Sequence, residues 1–230
     1  MAADTTRDLP ALAPVIFILG APRSGTTSLR VMMEGHSKLF SPPEMVLAPV
    51  ETMEERASLL TERYWEKGGL RRAIMELSGV GVDEAKATEA SFRDKTIPEA
   101  YAWLQSHLGG RTLVDKCPHL SIHPDALERL KAWIPEAQFI WISRHPGSVI
   151  RSLQNMPMAE VMLQGYDSGP EELWLRSNNN YKSFLETIPE GRKVHVRYED
   201  IVADPKAAME RVCGALGLDY EAGMAKPYEG

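Results

Sequence analysis

A continuous apolar pentapeptide, Val15–Leu19 (VIFIL), runs directly into a glycine-bounded polar loop, Gly20–Thr27 (GAPRSGTT). A strand with no polar alternation is stable only where both of its faces are covered, which is the condition of a parallel sheet sandwiched between helices. Three more short runs read as strands: Arg111–Val114 (RTLV), Gln138–Ile142 (QFIWI) and Lys193–Val196 (KVHV). Helical patterns fill the chain between and around them, over Thr27–Gly35, Met53–Trp65, Leu70–Leu77, Pro98–Leu108, Pro124–Trp133, Gly147–Leu153, Leu173–Ile188 and Pro205–Leu216. Strands alternating with helices predict an α/β fold: a P-loop-like, three-layer, doubly wound domain whose central sheet is mostly parallel and flanked by helices. The reading places a flexible N-terminal segment at residues 1–13 and one domain at 14–230.

In open α/β sheets, ligands bind beyond the carboxyl ends of the strands. Each run here ends in a polar, mostly cation-bearing motif at that place: GAPRSGTT, then DKCPH, then SRHPGSVIRS, then RYED. The net charge of −6 argues against a nucleic-acid surface, so an anionic ligand needs a local cationic pocket of this kind. The two cysteines, Cys117 and Cys213, make no disulfide framework and no metal spacing. No run approaches the ~20 apolar residues of a membrane helix, and no basic leader opens the chain, so the expectation is a cytoplasmic protein without a membrane span.

The first loop has the context that phosphate binding requires, following a strand and opening a helix. Gly20 and Gly25 permit a tight turn, and the helix N-terminus offers N–H groups and a favourable dipole to an anion. Ser24, Thr26 and Thr27 add hydroxyl donors, and Arg23 a planar, permanently charged fork. Thr26 stands where a nucleoside triphosphatase loop carries lysine. A strand–helix turn without a ligand is the plain alternative.

Pro22–Thr27 (PRSGTT) resembles the 5′-phosphosulfate loop of the sulfotransferases that use 3′-phosphoadenosine 5′-phosphosulfate (PAPS). The resemblance implies that Arg144, just after a strand, and Ser152, eight residues on, hold the 3′-phosphate. Arg144 can supply bidentate charge-assisted bonds, and Ser152 lies about two helical turns further along on a similar face. Arg197–Asp200 (RYED) matches another family element and implies that Tyr198 lies near the adenine; a tyrosine packing on the core is the alternative. PAPS would be the co-substrate and 3′-phosphoadenosine 5′-phosphate (PAP) the product, with no metal.

Sulfuryl transfer needs a base for the acceptor hydroxyl and cations around the transferred group. By resemblance Arg23 stabilises the leaving oxygen and Lys116, in Asp115-Lys116-Cys117-Pro118, reaches the sulfuryl or bridging oxygens, with Cys117 replacing the usual hydroxyl residue. Glu44, 20 residues beyond Ser24 and stiffened by Pro42 and Pro43, is the preferred base. His119 is the rival, at K-x-x-H spacing rather than the family's K-x-H. His36 is expected to meet the terminus of the first helix, and His107 and His123 carry no functional signal.

Within the family, GAPRSGTTSLRVMMEGHSKLFSPPEMVLAPVETMEER, VDKCPHLSIHPDALERL and RHPGSVIRSL are similar to sulfotransferase domains of modular polyketide synthases that form terminal alkenes. The implied acceptor is the β-hydroxyl of an acyl chain on an acyl carrier protein. The charge-rich stretch Glu51–Thr96 would form much of the acceptor entrance, with Arg71 and Arg72 facing the carrier, unless it is simply a solvated helical cap. The sequence ends in KPYEG, ahead of the Lys/Arg/Gly-rich loop with which the family closes over the 3′-phosphate. Two competing readings stand: a P-loop phosphotransferase using ATP and magnesium, with Asp115 as the metal ligand, and a non-catalytic nucleotide-binding relative.

Overall fold

The computed structural model describes residues 11–62, 68–157, 159, 163 and 168–226, apart from the side chains of residues 61, 62, 119 and 122. Five strands form one sheet: β1 (Val15–Leu19), β2 (Leu39–Phe40), β3 (Thr112–Lys116), β4 (Gln138–Ser143) and β5 (Lys193–Arg197). Their order is β2-β3-β1-β4-β5, and every pairing between neighbours is parallel. β1 lies at the centre. Its odd residues Val15, Phe17 and Leu19 enter one core and its even residues Ile16 and Ile18 the other, which is why the whole run is apolar.

Helices α1 (Thr26–Glu34), α2 (Met53–Glu62), α3 (Gly68–Ser78), α4 (Val82–Ala90), α5 (Ile97–Ser106), α6 (Pro124–Trp133), α7 (Pro146–Gln154), α8 (Pro170–Glu186), α9 (Tyr198–Ala203) and α10 (Pro205–Leu216) surround the sheet. The larger core joins one sheet face to α5, α6 and α8 through Tyr101, Leu104, Leu127, Tyr181 and Phe184. Phe17 stacks on Phe139 at 5.7 Å and meets the edge of Tyr101 at 6.3 Å. The opposite face packs on α1 and α10 through Leu29, Met33, Met209 and Val212. Asp204 caps α10 by accepting from the Ala207 amide at 2.9 Å, and Thr96 and Glu99 form a reciprocal capping box at the start of α5.

Three elements were not anticipated, among them the short helix α9 that follows β5. β2 is only two residues long, too short for a periodic signal, and α4 (VDEAKATEA) has almost no apolar face. The strand expected at Arg111–Val114 runs instead over Thr112–Lys116, so Asp115 and Lys116 belong to the sheet rather than to the loop after it. The helix expected to reach Trp65 is followed to Glu62, and its remainder lies outside the described residues. Of the N-terminal segment, residues 1–10 also lie outside them; Ala13 exchanges two hydrogen bonds with the Gln105 side chain, at 2.9 and 2.7 Å. Among the described residues no helix is long and apolar enough to cross a membrane.

Candidate active site

The register aligns the carboxyl ends of the strands. Ile18 sits opposite Lys116, Leu19 opposite Trp141, and Ser143 opposite Arg197. The first loop, Lys116, Arg144 and Tyr198 therefore emerge at one edge of the sheet, where α/β proteins build their sites. β2 ends at the same edge and delivers Ser41–Glu44 beside β3.

The loop between β1 and α1 is tightly folded. The Ser24 amide bonds the Ala21 carbonyl at 3.1 Å, and both Arg23 (φ 68°) and Gly25 (φ 96°) adopt left-handed backbone. A Cβ on Gly25 would lie 2.2 Å from the Tyr198 ring, and one on Gly20 would lie 2.7 Å from the Ile142 side chain, so both positions need glycine for space. Thr26 is buried in the first turn of α1 and Thr27 is exposed. The Ser24 hydroxyl is fully buried and has no hydrogen-bond partner among the described residues. Buried hydroxyls are ordinarily hydrogen-bonded, so an unsatisfied one at a helix N-terminus stands out.

Arg23, Arg144, Ser152 and Tyr198 come together. The Arg23 Nε donates to Ser152 Oγ at 2.9 Å, and Arg144 Nη1 donates to the Arg23 carbonyl at 3.0 Å. The Arg144 guanidinium lies 4.4 Å above the centre of the Tyr198 ring, whose edge abuts Gly25. The Tyr198 ring is thus a wedge between the loop and Arg144. Arg23, Arg144 and Ser152 open on a cleft of about 550 Å³ lined also by Ser148, Arg151 and Asn155. Sequence reasoning missed the last three. Their signal was helical spacing, since Ser148 precedes Ser152 by four residues on α7 and Arg151 precedes Asn155, the residue that caps it, by four.

A second group gathers at β3. Lys116 Nζ donates to Glu44 Oε2 at 2.8 Å, with side-chain exposures of 8% and 22%. Asp115, on the preceding residue, is buried and accepts a 2.5 Å hydrogen bond from the Tyr101 hydroxyl. Burial pushes its carboxyl up to about 6, against the pull of the Tyr101 hydroxyl and Lys116, while the nearby Glu44 carboxylate pushes it further the same way. Cys117 is buried in the larger core. His119 follows in a 3₁₀ turn, Pro118–Ile122, and its side chain lies outside the described residues.

Of the two arginines of the charge-rich stretch, Arg71 is half-buried and its Nε and Nη2 donate to Glu89 Oε2 at 3.1 and 2.8 Å, whereas Arg72, paired with Glu76 at 2.8 Å, is exposed. His36 meets the end of α1, its amide donating to the Met33 carbonyl at 3.2 Å; its ring is buried, with Nε2 2.9 Å from the Asp219 carbonyl, and so ties that end of the helix to the C-terminal segment.

The sulfotransferase family matches residues 14–222. The chain is 27% identical over 212 residues to protein-tyrosine sulfotransferase 2 of Gallus gallus, covering 90% of this chain and 52% of that protein. It thus spans about half the length of that relative. Among solved structures, the sulfotransferase domain from the curacin biosynthetic pathway superposes with a TM-score of 0.88 at 35% identity, over 96% of this chain and 80% of that one. The sulfotransferase domain from the olefin synthase of Synechococcus PCC 7002 also superposes with a TM-score of 0.88, at 33% identity, over 97% and 80%. With its loop, its cationic cleft and its Lys116–Glu44 pair at one sheet edge, the chain belongs to the sulfotransferase family.

Proposed function

We propose that this chain transfers the sulfuryl group of PAPS to the β-hydroxyl of an acyl chain carried on an acyl carrier protein. The observation that carries the reading is the placement of two groups at adjacent strand ends. One is the cationic cleft of Arg23, Arg144 and Ser152; the other is the Lys116–Glu44 pair. The first suits the two phosphates of the nucleotide. The second suits the reacting centre.

The donor requires oxyanion binding at two points, and the residues present suit it. The buried Ser24 hydroxyl, the helix N-terminus and Arg23 would hold the 5′-phosphosulfate. Arg144 and Ser152 would hold the 3′-phosphate, with Tyr198 supporting Arg144 from below and lying at the adenine's edge. In the transfer, the acceptor oxygen forms a bond to sulfur as the bond from sulfur to the 5′-phosphate oxygen breaks. Glu44 receives the acceptor's proton, and Arg23 and the loop amides face the charge left on the 5′-phosphate. Lys116, already against Glu44, orients that carboxylate and offers its remaining protons to the sulfuryl oxygens.

The carrier-bound acceptor rests on the likeness to the curacin and olefin synthase domains, both with TM-scores of 0.88. A magnesium-dependent phosphotransferase is disfavoured because the Asp115 carboxylate is buried and its Oδ2 is taken by the Tyr101 hydroxyl. The test is thermal stabilisation by PAP, with ATP·Mg as control, followed by sulfuryl transfer from PAPS to a 3-hydroxyacyl chain on an acyl carrier protein. Stabilisation by PAP alone, about 2.7 kcal/mol at a hundredfold excess over Kd, supports the donor assignment. Stabilisation by ATP·Mg alone would overturn it, and PAP binding without transfer would favour the non-catalytic relative.

A further inference from the structure

Glu44 sits in a short connection between β2 and α2 that has no regular structure of its own. Such a segment cannot hold a carboxylate in place by itself, yet its two ends are clamped by side chains from helices. On the entry side, α1 grips Ser41 twice: Arg30 Nη1 donates to the Ser41 carbonyl, and Glu34 Oε2 accepts from the Ser41 amide at 2.8 Å. On the exit side, the Arg56 Nε donates to the Met45 carbonyl at 2.9 Å.

Arg56 is an unusual residue for α2. Its side chain is 4% exposed, so its charge needs partners in the protein. Its Nη1 donates to Glu89 Oε1 on α4 at 3.1 Å, and the other oxygen of Glu89 takes both donors of Arg71 from α3. One carboxylate thus ties α2, α3 and α4 into a unit through two arginines, and that unit reaches the residue after Glu44. A second contact reinforces it. Gly69, at the start of α3, lies so close to the Glu44 carbonyl that a Cβ there would stand 1.8 Å from the oxygen. Val46, two residues after Glu44, is β-branched and held at φ 55°, a conformation that persists only where the surroundings impose it.

We infer that Arg56, fixed by Glu89, is a positioning residue that holds the backbone beside Glu44 so that its carboxylate meets Lys116 and the acceptor. This rests on Glu44 being the base. It gives the α2–α4 cap, read from sequence as an acceptor entrance or a solvated cover, a part in the chemistry at the sheet edge. A guanidinium is required because its planar fork serves the Met45 carbonyl and Glu89 together, which a single ammonium cannot match.

The test compares Arg56→Lys, Glu44→Gln and the double variant in transfer from PAPS to a 3-hydroxyacyl carrier protein. Arg56→Lys is expected to lower kcat by about tenfold or more while leaving KM for PAPS and PAP affinity within about twofold. On the Glu44→Gln background it should add no further loss, because both changes act through one carboxylate. Backbone amides at residues 44–48 should exchange with solvent faster in Arg56→Lys than in the parent.

Full activity of Arg56→Lys, losses that simply add, or unchanged exchange at 44–48 would each overturn the positioning role while leaving Glu44 as base. Full activity of Glu44→Gln alone would overturn the base assignment, and this inference with it. If Arg56→Lys does not fold, Glu89→Gln, which keeps the side-chain shape and removes the charge that fixes Arg56, answers through the same three readouts.

Discussion

Lys116 Nζ and Glu44 Oε2 meet at 2.8 Å although 72 residues of sequence separate them. β3 supplies the lysine from its last residue and β2 releases the glutamate four residues after it ends. Neighbouring parallel strands therefore bring this carboxylate and its cation to one edge.

Glu44→Gln keeps the side chain's size and its ability to accept from Lys116, but removes the proton acceptor. The expected result is a kcat lower by about 10²-fold or more, with PAP affinity unchanged by calorimetry. An unaltered kcat would pass the role to another residue, with His119 first in line.

Arg144→Ala removes a guanidinium that bonds the Arg23 carbonyl and stacks on Tyr198. A charge-assisted hydrogen bond contributes about 1.5–3 kcal/mol, so PAP affinity should fall roughly 10- to 100-fold. Ser152→Ala should weaken it less, since it removes one neutral hydroxyl. Isothermal titration of PAP into both variants decides the order, and equal losses would contradict it.

Gly25→Ala puts a methyl 2.2 Å from the Tyr198 ring at a φ of 96°. Stability should fall by at least about 1 kcal/mol from the backbone conformation alone. Combining it with Tyr198→Ala should remove the clash but not the backbone cost. Denaturant midpoints of the single and double variants separate the two contributions.

Asp115 gives a pH signature. Its carboxyl is raised, mainly by burial, from the ordinary 3.8 to about 6. Between those values the folded state keeps a proton that the unfolded state has released. The contribution of this group to stability is therefore most favourable below about pH 4, is lost as pH rises to about 6, and is constant beyond. Asp115→Asn keeps an acceptor for Tyr101 and abolishes the titration. Its urea midpoint should fall less steeply than the parent's from pH 4 to 6; an identical slope would assign the effect to other groups.

Much of the sheet edge was legible beforehand because the signals are local. VIFIL reads as a doubly covered strand since each residue faces one core or the other. The loop's glycines, Arg23 and Ser24 lie within one short segment, and Arg144 and Ser152 belong to a single strand–helix junction. β2 was not legible, because two residues have no period and become a strand only when Leu39 and Phe40 pair with Thr112 and Leu113. α4 was missed for a related reason. Its helix is anchored by Glu89 binding two arginines from α2 and α3, a contact that leaves no apolar stripe in its own sequence.

The sequence by itself determined the α/β class, the strand-end motifs and the residue types able to hold two phosphates, since each of these depends on neighbours a few positions apart. Only the tertiary structure decided which of them meet. It placed Glu44 on Lys116, buried Asp115 under Tyr101, committed Arg71 to Glu89 and set Tyr198 beneath Arg144. Those pairings depend on the order in which strands and helices pack. That order is settled by burying two apolar sheet faces at once, a property of the whole chain that no local stretch encodes.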